Sequence, residues 1–131
     1  MSRLVPIKAN PSLKGIVQHP IVEITRKGNL LCYESCGGRW FRSDRWDVED
    51  GLAQIQGLFE NLHYANLNDL YRCLGIYETT KGSIYGWNYY IHGPGEILKV
   101  QLIENGFKTM DEPVLVISPV VFPEKNYKEG I

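Results

Sequence analysis

One stretch of this chain constrains its fold more than any other, because an amphipathic pattern predicts a long helix near the middle. Apolar residues recur there at steps of four, three, four and three, which places their side chains on one face of an α-helix. These residues are Val48, Leu52, Ile55, Phe59 and Leu62. Ser43 or Asp44 offers an N-cap, and acidic residues in the next turns suit the positive end of the helix dipole. The sequence therefore predicts a helix that begins near Asp44.

A second, shorter helix is predicted directly after the first. Asn66 is a favourable N-cap, Asp69 follows three residues later as in a capping box, and Gly75 provides a stop. The predicted helix runs from Leu67 to Cys73 or Leu74. The two helices are consecutive and are joined by a short link.

Strand patterns flank the two helices. Residues 21–26 and 30–33 predict a hairpin around the turn at Gly28, and a short strand is predicted at 39–41. Residues 84–91 and 97–103 predict a second hairpin around the turn at 92–95, and 113–118 predict a further strand. The predicted fold class is α+β: a mostly antiparallel sheet of two hairpins plus a further strand, with two consecutive helices inserted between the hairpins.

Aromatic residues dominate the strand pattern at 84–91. If the stretch is extended, Tyr85, Trp87 and Tyr89 lie on one face, because side chains alternate along a strand. Large aromatic residues on one face of a small sheet usually belong to the core. We therefore predict that Trp87 is buried.

The chain has 131 residues, which suits a single domain with one core. We predict an extended basic N-terminal arm at 1–19, a single α+β domain at 20–123 and a C-terminal tail at 124–131. Residues 1–45 hold eight basic and three acidic residues, a charge of +5, whereas 46–131 hold six basic and twelve acidic residues, a charge of −6. This asymmetry suits either an acidic partner or neutralisation between the two halves on folding.

The apolar runs are too short for a transmembrane helix, and the first residues lack the apolar region of a signal peptide. We expect a cytoplasmic protein with no membrane partner. The odd count of three cysteines, Cys32, Cys36 and Cys73, favours reduced thiols. With His63 they offer four zinc-ligand types, but the Cys32–Cys36 spacing is wider than in the usual knuckle. We predict no metal and no cofactor, and the sequence leaves open whether the four residues meet.

No motif in the chain points to a reaction. A phosphate-binding loop, a dinucleotide-binding turn, a zinc-protease helix and a nucleophile elbow are all missing from the sequence. His19, His63 and His92 offer bases for a hydrolase, but their spacing does not determine geometry. We predict no catalytic residue and a protein that is not an enzyme, with a hydrolase as the residual alternative.

The segment 38–46 interleaves arginine with aromatic residues, and its candidate binding residues are Arg39, Trp40, Arg42, Arg45 and Trp46. Such a composition contacts phosphates and stacks on bases, and it is also typical of protein-binding hot spots. In the structural alternative, Trp40, Phe41 and Trp46 fill the junction between sheet and helix while the arginines pair with acidic residues. A net charge of −1 disfavours a dedicated nucleic-acid binder.

Several short motifs carry a resemblance to a known family. They are Leu67-Asn68-Asp69-Leu70-Tyr71, Leu74-Gly75-Ile76, Thr79, Gly82, Gly86-Trp87-Asn88, Asp111-Glu112-Pro113-Val114-Leu115 and Ser118-Pro119. Over about 48–120 the chain resembles an uncharacterised family of small phage, prophage and integrative-element proteins of Gram-positive bacteria. The resemblance implies a mobile-element context and expression in the cytoplasm of a bacterial host cell. It brings no activity, cofactor or catalytic residue with it.

Together these observations lead us to expect a small non-enzymatic accessory protein of a phage or mobile element. It would bind a host or phage protein, for example as an anti-defence inhibitor or an assembly factor. One alternative is a virion structural protein that self-assembles. Another is a nucleic-acid-binding protein that uses the Arg/Trp segment.

Overall fold

The computed structural model describes residues 3–6, 21–25, 28–104 and 111–129. The strands, in chain order, are β1 (Arg3–Pro6), β2 (Ile21–Ile24), β3 (Leu30–Glu34), β4 (Arg39–Ser43), β5 (Tyr64–Asn66), β6 (Tyr85–Asn88), β7 (Leu98–Ile103), β8 (Val114–Pro119) and β9 (Glu124–Lys125). The helices are α1 (Arg45–Leu62), α2 (Leu67–Leu74) and α3 (Tyr89–His92), and 3-10 turns lie at Lys81–Ser83 and Tyr127–Glu129.

The strands form two sheets. The larger has the order β1-β2-β4-β3-β8-β7, and the smaller has the order β5-β6-β9. In the larger sheet β2 is parallel to β4 and β3 is parallel to β8, while the other neighbours are antiparallel. The predicted α+β class is confirmed, but the large sheet is mixed rather than mostly antiparallel.

The first predicted hairpin is wrong in its pairing. β2 and β3 do not pair with each other, because β4 lies between them. The hairpin instead joins β3 to β4 through a turn at 35–38, in which the Glu34 carboxylate accepts the Gly37 N–H and Gly38 has a φ of 68°. The alternating pattern located these strands correctly, but alternation alone does not determine which strands become neighbours.

The second predicted hairpin is also wrong. Only Tyr85–Asn88 is extended, and it pairs with β5 and β9 in the smaller sheet. The next residues turn into α3, because the Asn88 side chain accepts the Tyr90 N–H at 2.9 Å and caps the turn. The strand β7 pairs instead with β8, the predicted further strand, which lies between β3 and β7 in the large sheet.

Both predicted helices are confirmed. The N-cap of α1 is Asp44, whose carboxylate accepts the Asp47 N–H at 2.7 Å. The N-cap of α2 is Asn66, which forms a reciprocal capping box with Asp69, and α2 ends at Gly75, which has a φ of 75°. No helix in the described ranges is long and apolar enough to cross a membrane.

The main core lies between the large sheet and the two long helices. It joins Phe41 and Leu115 of the sheet to Ile55 and Phe59 of α1 and to Leu70 of α2. A smaller cluster on the opposite face of the sheet contains Val22, Leu31 and Val114. The two apolar clusters show that this sheet is packed on both faces.

The predicted arm and the predicted tail each contain a strand. Within the predicted arm, β1 pairs antiparallel with β2. Within the predicted tail, β9 pairs with β6, and Tyr127 is buried at 7% exposure. The remainder of the predicted arm, 1–2 and 7–19, lies outside the described residues.

The burial of Trp87 is confirmed, because its side chain is completely buried and its indole N–H donates to the Val121 carbonyl at 2.7 Å. We expect Trp87→Ala to lower the free energy of unfolding by about 3–5 kcal/mol, because the substitution leaves a large cavity. Trp46→Ala is the matched control, since Trp46 is 77% exposed, and we expect its effect to stay within about 0.5 kcal/mol. Urea unfolding followed by circular dichroism measures both values, and equal effects would contradict this assignment.

Candidate functional site

Arg39, the first of the three predicted binding arginines, lies on the helix-facing side of β4. One guanidinium nitrogen, Nη2, donates to the Glu23 carboxylate at 2.9 Å, and Nη1 donates to the Tyr77 carbonyl at 3.0 Å. The guanidinium carbon also lies 4.7 Å from the centre of the Tyr71 ring. Arg39 therefore connects β2, α2 and the segment that follows α2.

The other two arginines are paired with carboxylates at separate places. Arg42 donates to both oxygens of Glu112, at 2.7 and 3.1 Å, and these hydrogen bonds raise the pKa of Arg42. Arg45 donates to Glu49 at 3.1 Å, one turn along α1. The three arginines do not form one cationic surface.

The aromatic residues of the segment also separate. Trp40 packs against Tyr33 with ring centres 4.6 Å apart, on the sheet face that carries the smaller apolar cluster. Phe41 is completely buried in the main core. Trp46 is largely exposed on α1, so the structural alternative, in which all three rings fill the junction between sheet and helix, fits Phe41 but not Trp46.

Two adjoining clefts lie beside Arg39. The first has a volume of about 540 Å³ and is lined by Ser35, Cys36, Gly37, Arg39, Leu67, Tyr71, Thr79, Thr80, Lys81, Tyr85, Phe122 and Pro123. The second has a volume of about 480 Å³ and is lined by Leu4, Ile21, Glu23, Gly38, Arg39, Trp40, Tyr77, Glu78 and Thr79. Because both include Arg39 and Thr79, we call the two clefts together the Arg39 groove. Of the five predicted binding residues, Arg39 and Trp40 line it.

One wall of the groove is held in place by Asn68 of α2. Its side-chain oxygen accepts the Thr79 N–H at 2.8 Å, and its side-chain nitrogen donates to the Thr79 carbonyl at 2.9 Å. The Thr79 hydroxyl oxygen then accepts the Gly82 N–H at 2.9 Å. A Cβ atom at Gly82 would collide with the Asn68 side chain. Three motif residues of the family resemblance thus build this wall.

The floor of the groove covers a buried carboxylate that the sequence analysis missed. Glu34 is completely buried, both of its oxygens accept the Gly37 N–H at 3.0 Å, and it accepts the Tyr71 hydroxyl at 3.3 Å. Burial raises the pKa of Glu34, and burial together with the Glu34 charge raises the pKa of Tyr71. The Gly37-Gly38 pair is the sequence feature that could have indicated this close contact. In the structure, a Cβ atom at Gly37 would collide with the Tyr71 hydroxyl.

The cysteines do not form a metal site. In the part of the chain that the structure describes, no group of three or more His, Cys, Asp or Glu side chains is placed to hold a metal ion, so Cys32, Cys36, His63 and Cys73 do not meet. Burial raises the pKa of Cys32 to about 12 and also raises that of Cys73. Burial and the Glu34 charge raise the pKa of Cys36. These thiols are therefore protonated at neutral pH and are poor nucleophiles.

The described histidines are engaged away from the Arg39 groove. His63 Nδ1 lies 3.1 Å from the Tyr90 hydroxyl. His92 Nδ1 accepts the Asn88 N–H at 3.1 Å, and its Nε2 lies 3.5 Å from the Glu124 carboxylate. His19 lies outside the described residues. Neither described histidine is placed to activate a nucleophile in the groove.

The fold and the groove define a small α+β protein with an open, mixed apolar and polar site. The chain belongs to DUF6353, a family of unknown function, whose family model matches residues 9–127. The match is longer than the region of about 48–120 that the motifs indicated. No curated protein matches the chain, and no solved structure does.

The raised pKa of Glu34 predicts a specific pH dependence of stability. Folding favours the protonated form, so the contribution of Glu34 to stability is fully present below the ordinary glutamate pKa and is lost as pH rises through its folded-state pKa. Glu34→Gln carries no charge at any pH. We therefore expect the free energy of unfolding of the variant, relative to the parent, to increase as pH rises from about 4 to about 8. Urea titrations at several pH values measure this difference, and a constant or falling difference would contradict it.

Removal of the Asn68 side chain should destabilise the groove wall. We expect Asn68→Ala to lower the free energy of unfolding by about 1–3 kcal/mol, because the two hydrogen bonds to Thr79 are lost. Hydrogen exchange should also become faster at the amides of Thr79 and Gly82, which belong to this wall. The control is Asn61→Ala, at an exposed position of α1, which should leave the free energy of unfolding nearly unchanged. Unchanged exchange at both amides would show that Asn68 does not hold the wall.

Proposed function

We propose that this chain is a non-enzymatic accessory protein of a phage or other mobile element, and that it holds a segment of a host or phage protein in the Arg39 groove. The observation that carries the proposal is that two open clefts share Arg39 and Thr79 in their linings. Two neighbouring open clefts suit an extended chain segment better than a compact metabolite. Phe122, 75% exposed at its rim, offers apolar surface for a partner to cover.

The chemistry of the groove supports binding rather than catalysis. The Glu34 carboxylate is buried, and it accepts hydrogen bonds from Gly37 and Tyr71. The Cys36 thiol, which lines the groove, has a raised pKa through burial and the Glu34 charge. The thiolate is the nucleophilic form of cysteine, and the raised pKa keeps the Cys36 thiol protonated at neutral pH.

The arginine contacts favour a protein partner over a nucleic acid. Arg39, Arg42 and Arg45 each donate to a glutamate of this chain. A phosphate would have to displace those carboxylates before it gained the same hydrogen bonds. The sequence alone indicates the Arg/Trp segment as one candidate binding surface. The present proposal differs, because only Arg39 and Trp40 of its five candidate residues line the groove.

The biological context of the proposal rests on the motif resemblance. The shared motifs indicate a phage or integrative element and thus a site of action in the cytoplasm of a bacterial host. Within that context, an anti-defence inhibitor or an assembly factor acts by occupying a surface of another protein. The groove suits either role, because each requires recognition without turnover.

Affinity capture from nuclease-treated lysate of the native host tests the proposal. We expect the parent chain to retain one stoichiometric protein at moderate salt and Phe122→Ser to lose it, because the serine removes the apolar rim of the groove. Leu62→Ser is the matched control, since Leu62 is 63% exposed on α1 and does not line the groove, and it should retain the protein.

Two outcomes would overturn the proposal. Equal retention by Phe122→Ser and Leu62→Ser would place the interface away from the groove. Recovery of this chain alone, with light scattering that shows a defined oligomer, would favour the self-assembling virion protein.

A further inference from the structure

We propose that the segment held in the Arg39 groove is acidic, with an Asp or Glu next to a large apolar residue. This inference rests on the proposed function and deepens it, because it names the chemistry of the partner. It places the acidic side chain at Lys81 and the apolar side chain against Phe122.

The charges of the first cleft carry the first step. Its lining includes two basic residues, Arg39 and Lys81, and no acidic residue. Arg39 is already paired with Glu23 at 2.9 Å, so its charge is largely compensated. Lys81 is exposed, and its ammonium makes no ion pair with any described residue. An anion that reaches Lys81 therefore meets an ammonium that no described carboxylate pairs with, whereas the Glu34 carboxylate lies buried below the floor of the groove.

A second cation reinforces the same end of the groove. Lys125 of β9 lies directly opposite Tyr85 of β6 in their antiparallel ladder. Opposed residues in such a ladder place their side chains on the same face of the sheet. Since Tyr85 lines the first cleft, Lys125 adds positive potential near the mouth of that cleft.

The hydrogen-bonding groups of the wall point to the same ligand chemistry. The Thr79 hydroxyl oxygen accepts the Gly82 N–H with one lone pair, and the hydroxyl hydrogen can still donate to a ligand. A hydroxyl donor and a lysine ammonium both seek an acceptor. A carboxylate supplies acceptors only, which matches this combination.

The apolar part of the cleft requires a second element in the ligand. Leu67, Phe122 and Pro123 line the cleft together with Tyr71 and Tyr85. A carboxylate alone would leave this surface uncovered, whereas a neighbouring aromatic or branched aliphatic side chain would cover the exposed Phe122 ring. A longer segment would extend toward the second cleft, which shares Arg39 and Thr79 with the first.

Selection from a displayed library of random heptapeptides on the immobilised full-length chain tests this inference. We expect enriched peptides to contain Asp or Glu beside an aromatic or branched aliphatic residue. The most enriched peptide is then synthesised with a fluorophore, and its dissociation constant is measured by anisotropy. We expect Lys81→Glu to weaken binding about tenfold and Lys81→Gln to weaken it less, because the variants reverse and remove the charge.

The controls separate failure of this inference from failure of the proposed function. Lys99→Glu makes the same charge change at an exposed position of β7 outside the groove, and it should change affinity less than about twofold. Enriched peptides that lack acidic residues, or equal effects of the two charge reversals, would overturn the acidic segment. If enriched peptides lack acidic residues but bind Phe122→Ser more weakly than the parent chain, the groove remains the binding site. No enrichment, or binding insensitive to Phe122→Ser, would overturn both proposals.

Discussion

The buried carboxylate of Glu34 is the contact on which the site depends. It closes the β3–β4 turn through the Gly37 N–H and accepts the Tyr71 hydroxyl from α2, so one side chain joins the large sheet to a helix. Arg39 stacks on the same Tyr71 ring and pairs with Glu23 of β2. A buried charge is costly unless it is hydrogen-bonded, and the raised pKa of Glu34 records that cost. The floor of the Arg39 groove is therefore also a structural junction.

Ion pairs in the fold connect the basic first third of the chain to its acidic remainder. Arg42 pairs with Glu112 and Arg45 pairs with Glu49, so two cations of the basic first third are neutralised by the acidic remainder. Arg39 is neutralised within the first third, by Glu23. The neutralisation alternative thus accounts for two of the three arginines. Lys81, which makes no ion pair with a described residue at the first cleft, belongs to the acidic part of the chain.

The motifs that carry the family resemblance have structural roles that only the folded chain reveals. Asn68 holds Thr79, and Gly82 makes room for Asn68. Trp87 fills the core, and the side-chain amide of Asn88 donates to the Tyr127 carbonyl. These residues hold the segment after α2 against the rest of the fold, and that segment forms one wall of the groove.

Local features of the sequence determined the two long helices, their caps, the burial of Trp87 and the position of the strand at Val114–Pro119. Each of these depends on residues close together in the chain, such as Asn66 and Asp69, so spacing is sufficient to predict it. Strand partners were decided only by the tertiary structure, because several alternating segments satisfy the same apolar pattern and β4 inserts between β2 and β3. The Arg39 groove was hidden for the same reason: Glu34, Asn68 and Phe122 become neighbours of one site only after folding brings distant segments together.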